Sequence, residues 1–330
     1  MIECIFTIDY EIYGNGEGSL KKLVYEPTRK LQGILDQAGA KIVVFVEAAE
    51  LEKIEASNTD YAINEVKHQV QELHRQGHEI ALHLHPQWCN ARYHQGKWEL
   101  DYNEYNLCIL PKERIAEIVN RSINYLRTVL VASDFTPLSF RGGNWLFQPT
   151  RNAANVLAEH GIKIDSSVFK GGLQHQHKLD YRRAAKNGNF WKFHEDVNTP
   201  DPNGELLEIP IYTRIVPFWE MATMKRVGLQ QKSSSGVRTA RQMMYRLLDM
   251  VRFWHPLKLD FCRMTIDELT RMVDTVIKED QQDPTTFKPL VAIGHTKDLV
   301  DFETVELFLS YLKRRGIAIV TFHDVYARCH

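Results

Sequence analysis

The stretch His78-Glu79-Ile80-Ala81-Leu82-His83-Leu84-His85-Pro86 governs how the rest of the chain is read. Ile80, Leu82 and Leu84 alternate with Ala81, His83 and His85, and residues i and i+2 share one face of a strand. One face is therefore aliphatic. The other carries two imidazoles about 6–7 Å apart along the strand. Pro86 ends the ladder because it has no N–H to donate. Two neutral imidazoles at the carboxyl end of a buried strand suit a metal such as zinc. The same pattern fits two polar residues on the wet face of an edge strand, and the flanking sequence has to separate the two readings.

Upstream, Ile2 to Asp9 is apolar and β-branched and predicts a first strand, ending in Asp9-Tyr10-Glu11 and a loop with Gly14, Gly16 and Gly18. Those glycines are too irregular for a phosphate-binding fingerprint. Pro27 opens a predicted helix to about residue 37, Lys41 to Val46 predicts a second strand, and 61–76 a helix stopped by Gly77. Downstream, 87–110 is a long aromatic loop of the kind that covers one end of a domain or carries function. A helix from Pro111 to about 130 follows, then a short strand at 138–141 running into Gly142-Gly143-Asn144-Trp145, a helix from Pro149 and a strand at 162–165. Residues 169–201 read as irregular, 205–212 as a strand, and about 216–259 as a partly helical insertion. A helix at 265–278, a strand at 290–295, a helix at 302–314 and a strand at 317–322 come last.

Strand and helix alternate through seven or eight units. That predicts a parallel sheet with helices outside it, closed as an α/β barrel rather than open and doubly wound. A length of 330 residues suits one such barrel over 1–330, and 44% apolar residues can fill its core. The formal charge of −1 gives no global field to recruit nucleic acid. Five scattered cysteines with no CxxC pair fit a reducing compartment. With no basic leader and no run of 18 apolar residues, the expectation is a cytoplasmic protein without a transmembrane segment. The sequence leaves the oligomeric state open.

In such a barrel the functional side chains come from the carboxyl ends of the strands. Those ends carry Asp9 and Glu11, Glu47, His83 and His85, Arg141 and Trp145, Asp165, and His295. Each has a plain structural role when taken alone: Asp9 and Glu11 as polar residues leading into a loop, Arg141 as an ion-pair partner, His295 as a satisfied core histidine. Gathered at one mouth, four carboxylates, three histidines and an arginine point to metal-assisted chemistry.

These residues resemble the motifs of the polysaccharide deacetylase family, metal-dependent carbohydrate esterases of the NodB-homology type. Thr7-Ile8-Asp9-Tyr10-Glu11 stands where the family has Thr-Phe-Asp-Asp, and Gly77-His78-Glu79-Ile80 leads to His83 where the family has His-x-x-x-His. Ser139-Phe140-Arg141-Gly142-Gly143-Asn144-Trp145 and Ile293-Gly294-His295 match its arginine–tryptophan and Leu-x-His segments. The runs His83 to Trp88, Ile164 to Val168 and Gly294 to Lys297 are similar to a divergent branch found with surface-polysaccharide genes. The resemblance implies a distorted (β/α)7 barrel that removes an N-acetyl group from a sugar or a sugar-containing intermediate of surface-polysaccharide biosynthesis. It implies a divalent metal, zinc first, held by one carboxylate and two histidines. Tyr10 and Gln87 depart from the pattern at two ligand positions, and Glu11 and His85 are the substitutes, giving Glu11, His83 and His85. Asp9 is then the general base, Arg141 holds it ionised through a bidentate pair, His295 donates a proton to the leaving amine, and Asp165 orients His295 from behind. Trp145, Asn144 and Trp88 are expected at the sugar. Arg238 and Arg241, within the basic run Lys225, Arg226, Lys232, Arg238, Arg241 and Arg246, are expected to hold the phosphates of a nucleotide- or lipid-linked sugar; the plain reading of that run is a solvated helix face.

Two other readings remain: a metal-dependent hydrolase of a small non-sugar amide, and a catalytically inactive glycan-binding or scaffolding relative. Tyr10 and Gln87 motivate the last, and stoichiometric metal in the purified protein separates it from the others.

Overall fold

The computed structural model describes residues 1–184, 188–221, 244 and 252–329. The main row of its sheet is seven parallel strands: β1 (Ile2–Tyr10), β2 (Val43–Glu47), β3 (Glu79–Leu84), β4 (Ser139–Gly142), β5 (Ile164–Asp165), β6 (Leu206–Glu208) and β7 (Lys288–His295). Their order across the sheet is β6-β5-β4-β3-β2-β1-β7. Single bridges from Ile211 to Phe169 and to Val291 join the two ends, and Asp260 bridges Ile293. The strand Trp191–Phe193 runs antiparallel beside β6, and Ala318–Val320 adds to β1. The result is the parallel α/β barrel that the alternation predicts, in the distorted (β/α) form that the resemblance implies.

The helices are α1 (Glu26–Ala38), α2 (Ala48–Ser57), α3 (Ile63–Arg75), α4 (Lys112–Leu130), α5 (Arg151–Glu159), α6 (Ile266–Gln282), α7 (Phe302–Arg314) and α8 (Phe322–Cys329). Local chemistry sets their ends. Gly39 closes α1 in the left-handed region at φ 64°, and a capping box of Thr265 and Glu268 opens α6. Two helices are not legible from periodicity. α2 starts directly off β2, where the Glu47 carboxylate accepts the N–H groups of Ala49 and Glu50. α8 follows the last strand after a single residue, Thr321.

β3 is buried along its whole length between β2 and β4, so the edge-strand reading of the two histidines is excluded. The aromatic loop holds a hairpin, Arg92–His94 with Lys97–Glu99, between single-turn helices. Trp88 does not offer a face to solvent. It is fully buried and meets Trp98 edge-on at 5.0 Å, because its indole fills the core under the loop. The start and end of the insertion pair as an antiparallel ribbon, Thr213–Pro217 with Trp254–Lys258. Lys225, Arg226, Lys232, Arg238, Arg241 and Arg246 lie outside the described residues. All five cysteines are free and buried, and among the described residues no helix is long and apolar enough to cross a membrane.

Candidate active site

Strand register brings the site together. Asp9 pairs with His295, Glu47 with His83, and His83 with Arg141, and paired residues of parallel strands share a face. These side chains therefore line one end of the barrel interior. Tyr10, one residue on from Asp9, turns to the outside, where its hydroxyl donates to Gln69 of α3 at 2.7 Å. Glu11 returns to the inside. Tyr10 thus occupies a packing position.

Glu11 Oε2 lies 3.5 Å from His83 Nε2 and 3.0 Å from His85 Nε2. Glu11 Oε2 and His83 Nε2 are buried without a hydrogen-bond partner. Unpartnered buried polar atoms are costly, and three converging oxygen and nitrogen donors form the usual ligand set of a catalytic zinc site. The supporting contacts fit that use. His83 Nδ1 donates to the Arg141 carbonyl at 2.8 Å, which leaves Nε2 with its lone pair. His85 Nδ1 meets the amides of Gln87 at 3.2 Å and Asn144 at 3.3 Å, and Gln87 Oε1 is otherwise buried without a partner. With that amide turned over, Oε1 accepts from Nδ1–H, the tautomer that frees Nε2. The Glu47 carboxylate takes the His85 backbone N–H at 2.5 Å. Burial alone would depress the His83 imidazole, but the Asp9 and Glu11 carboxylates outweigh it and lift it to about 9. The pocket therefore favours positive charge. Lys297 supplies some from one side, its Nζ 2.6 Å from Glu11 Oε1, leaving Oε2 to face the histidines.

Beside this triad, Asp9 Oδ1 accepts from Arg141 Nη1 at 2.7 Å. The expected bidentate pair is not formed. Arg141 spends its other donors on the Ser166 carbonyl at 2.9 Å and Thr7 Oγ1 at 3.0 Å, and its guanidinium lies over the Phe45 ring. Burial raises the Asp9 carboxyl, yet Arg141, His83 and His295 together bring it below its ordinary value. Asp9 Oδ2 is 3.4 Å from His295 Nε2. Burial, with Lys297 and Arg263 nearby, pushes the His295 imidazole down to about 4.

Asp165 does not stand behind His295. Its partner in register is Phe140, one residue short of Arg141, so it faces away from the site row and bonds Ser167 Oγ at 2.7 Å. The carboxylate near His295 Nδ1 is Asp298, at 3.8 Å, itself held by Arg263. Asn144 is drawn to His85, and Trp145 stands edge-on to His295 with ring centroids 5.9 Å apart. From sequence, Lys297 enters only within the run Gly294 to Lys297 and Asp298 not at all, and neither has a role there, although a polar run directly after an apolar strand was the available signal.

No protein-family model matches the sequence, and no curated protein matches it by sequence. In structure the chain is similar to a protein assigned as a polysaccharide deacetylase from Mycobacterium smegmatis, with 14% identity, TM-score 0.54, and 99% of this chain and 90% of that one covered. It is similar to another so assigned from Pseudomonas aeruginosa PAO1, with 11% identity, TM-score 0.52, and 99% and 90% covered. A Puue allantoinase superposes with 11% identity, TM-score 0.50, and 99% and 89% covered. At these identities the likeness is one of fold.

Proposed function

We propose that the chain is a divalent-metal-dependent hydrolase that removes an N-acetyl group from a sugar or a sugar-containing intermediate of surface-polysaccharide biosynthesis. The observation that carries this reading is the convergence of Glu11 Oε2, His83 Nε2 and His85 Nε2 beside the Asp9–His295 pair. Those three residues would hold the cation, zinc being the first candidate for a mixed nitrogen and oxygen set. A divalent cation there supplies Lewis acidity to the acyl carbonyl and to water. Asp9, kept ionised by Arg141, takes the proton of the attacking water at Oδ2. His295 is neutral before the reaction, so the proton it gives the leaving nitrogen is the one Asp9 has taken, passed across the 3.4 Å gap. The water oxygen bonds to the acyl carbon, the carbon–nitrogen bond breaks, and acetic acid and a neutral amine result, which in water become acetate and an ammonium. The fold shared with proteins assigned as polysaccharide deacetylases supports a sugar substrate.

The fold shared with an allantoinase favours a second reading, hydrolysis of a small non-sugar amide. Metal analysis and parallel assays of acetate release from N-acetylated sugars and of allantoin hydrolysis separate them. The expected result is one metal per chain and acetate release that falls by about 10²–10⁴ in Asp9→Asn while metal is retained. A chain without stoichiometric metal and without turnover would be an inactive relative.

A further inference from the structure

At the mouth, the cations nearest the reacting groups each have a carboxylate. Arg141 has Asp9 at 2.7 Å, Lys297 has Glu11 at 2.6 Å, and Arg263 has Asp298 at 2.5 Å. Lys258, at the base of the ribbon Trp254–Lys258, is the exception: among the described residues no carboxylate oxygen lies within 4.0 Å of its Nζ. The neighbouring Asp260 does not take it up. That carboxylate accepts the backbone N–H groups of Cys262 and Arg263 at 3.0 and 3.1 Å and lies 3.9 Å from the Arg263 guanidinium.

The Lys258 amine rests instead on aromatic faces, 3.1 Å from the centroid of Trp145 and 4.4 Å from that of Phe169. A ring face attracts a cation without neutralising it. The same Trp145 indole stands against His295, and its Nε1–H is buried without a partner. One indole thus joins a cation lacking a counter-ion, an unsatisfied donor and a reacting histidine.

We propose that Lys258 and Trp145 form an anion-reading subsite, and that the amide hydrolysed here belongs to a substrate carrying a carboxylate or phosphate beside its acylamino group. The inference rests on the reading of the site as an amide hydrolase. Burial against the rings brings the amine down to about 7, and Asp260, Arg263, Asp9 and Arg141 are the charged groups that act on it. An arriving anion supplies the counter-charge that this lysine lacks.

Calorimetric titration of the metal-loaded protein with N-acetylglucosamine, its uronic acid analogue and its 1-phosphate tests the proposal. At least one anionic ligand should bind about tenfold tighter than the neutral sugar, the scale of one charge-assisted hydrogen bond. Which anion gains tells carboxylate from phosphate. Lys258→Met should erase the preference and leave the neutral affinity unchanged, and Lys258→Arg should keep it. No preference for either anion, or a preference that survives in Lys258→Met, overturns the subsite. A Lys258-dependent preference in a protein that hydrolyses no N-acetyl bond overturns the hydrolase reading alone.

Discussion

His85 is gripped on three sides: Glu11 at Nε2, the Gln87 and Asn144 amides at Nδ1, and Glu47 at its backbone N–H. These contacts rank the residues around it. His85→Ala should abolish zinc binding in equilibrium dialysis, whereas Gln87→Ala, which removes only a support, should weaken it roughly 10–100-fold. The reverse ranking would make Gln87 the ligand. His78, at the opposite end of the same stretch, has a different use. It is buried, its Nδ1 accepts the Ile42 N–H at 3.2 Å, and burial lowers its imidazole to about 4. The unfolded chain takes up this proton near pH 6.5, while the folded chain refuses it until about pH 4. The stability that comes from keeping His78 neutral is therefore complete above pH 6.5 and is lost as pH falls toward 4, by at most roughly 3 kcal/mol. His78→Asn keeps an acceptor for Ile42. Between pH 7 and 5 its urea midpoint should fall less steeply than that of the parent, and parallel curves would refute the assignment.

The turn after β4 works as a unit with the end of β3. A Cβ on Gly143 would come within 2.7 Å of His85 Cγ and of the Leu84 carbonyl, so the backbone approaches His85 as only glycine allows. Asn144 and Trp145 follow at φ 54° and 60°, a left-handed pair that costs side-chain-bearing residues about 1–3 kcal/mol each. Tyr181 holds the turn by donating to the Trp145 carbonyl at 2.7 Å. Gly143→Ala should lower stability by about 1–3 kcal/mol through overpacking and should also loosen zinc by displacing His85; a thermal melt and a metal titration on one preparation check both effects. Normal zinc affinity in that variant would show that His85 can move freely. Much of this arrangement was legible in period-two patterns, which place His83 with His85 and Asp9 with Glu11 on shared faces. Register was not. Asp165 ends its strand as expected, but an offset of one residue turns a side chain to the other face, and no local pattern encodes that offset. Lys297 and Asp298 were hidden for another reason: they sit on a single helical turn beyond β7, where strand alternation no longer applies.

Two strands of the barrel supply the proposed ligands, so metal binding should stabilise the whole fold. At a hundredfold excess over its dissociation constant, a ligand specific to the folded state adds about 2.7 kcal/mol. For 330 residues at an unfolding entropy of about 2.1 cal/mol/K per residue, that raises Tm by roughly 4 °C. Scanning calorimetry with and without zinc should show this rise in the parent and not in Glu11→Gln; an equal rise in both would place the metal elsewhere. At the same scale, β1 lies between β2 and β7, and Thr7 donates to the carbonyl of Ala292, 285 residues away in sequence. On the ribosome, β1 leaves the exit tunnel before the other strands and waits for β7. At the usual 5–20 residues per second, that wait lasts roughly 15–60 s. Throughout it, a strand whose apolar side chains end up buried on both faces has one edge without its partner. The nascent chain thus offers chaperones a long-lived target in β1, and slowed translation should increase its aggregation.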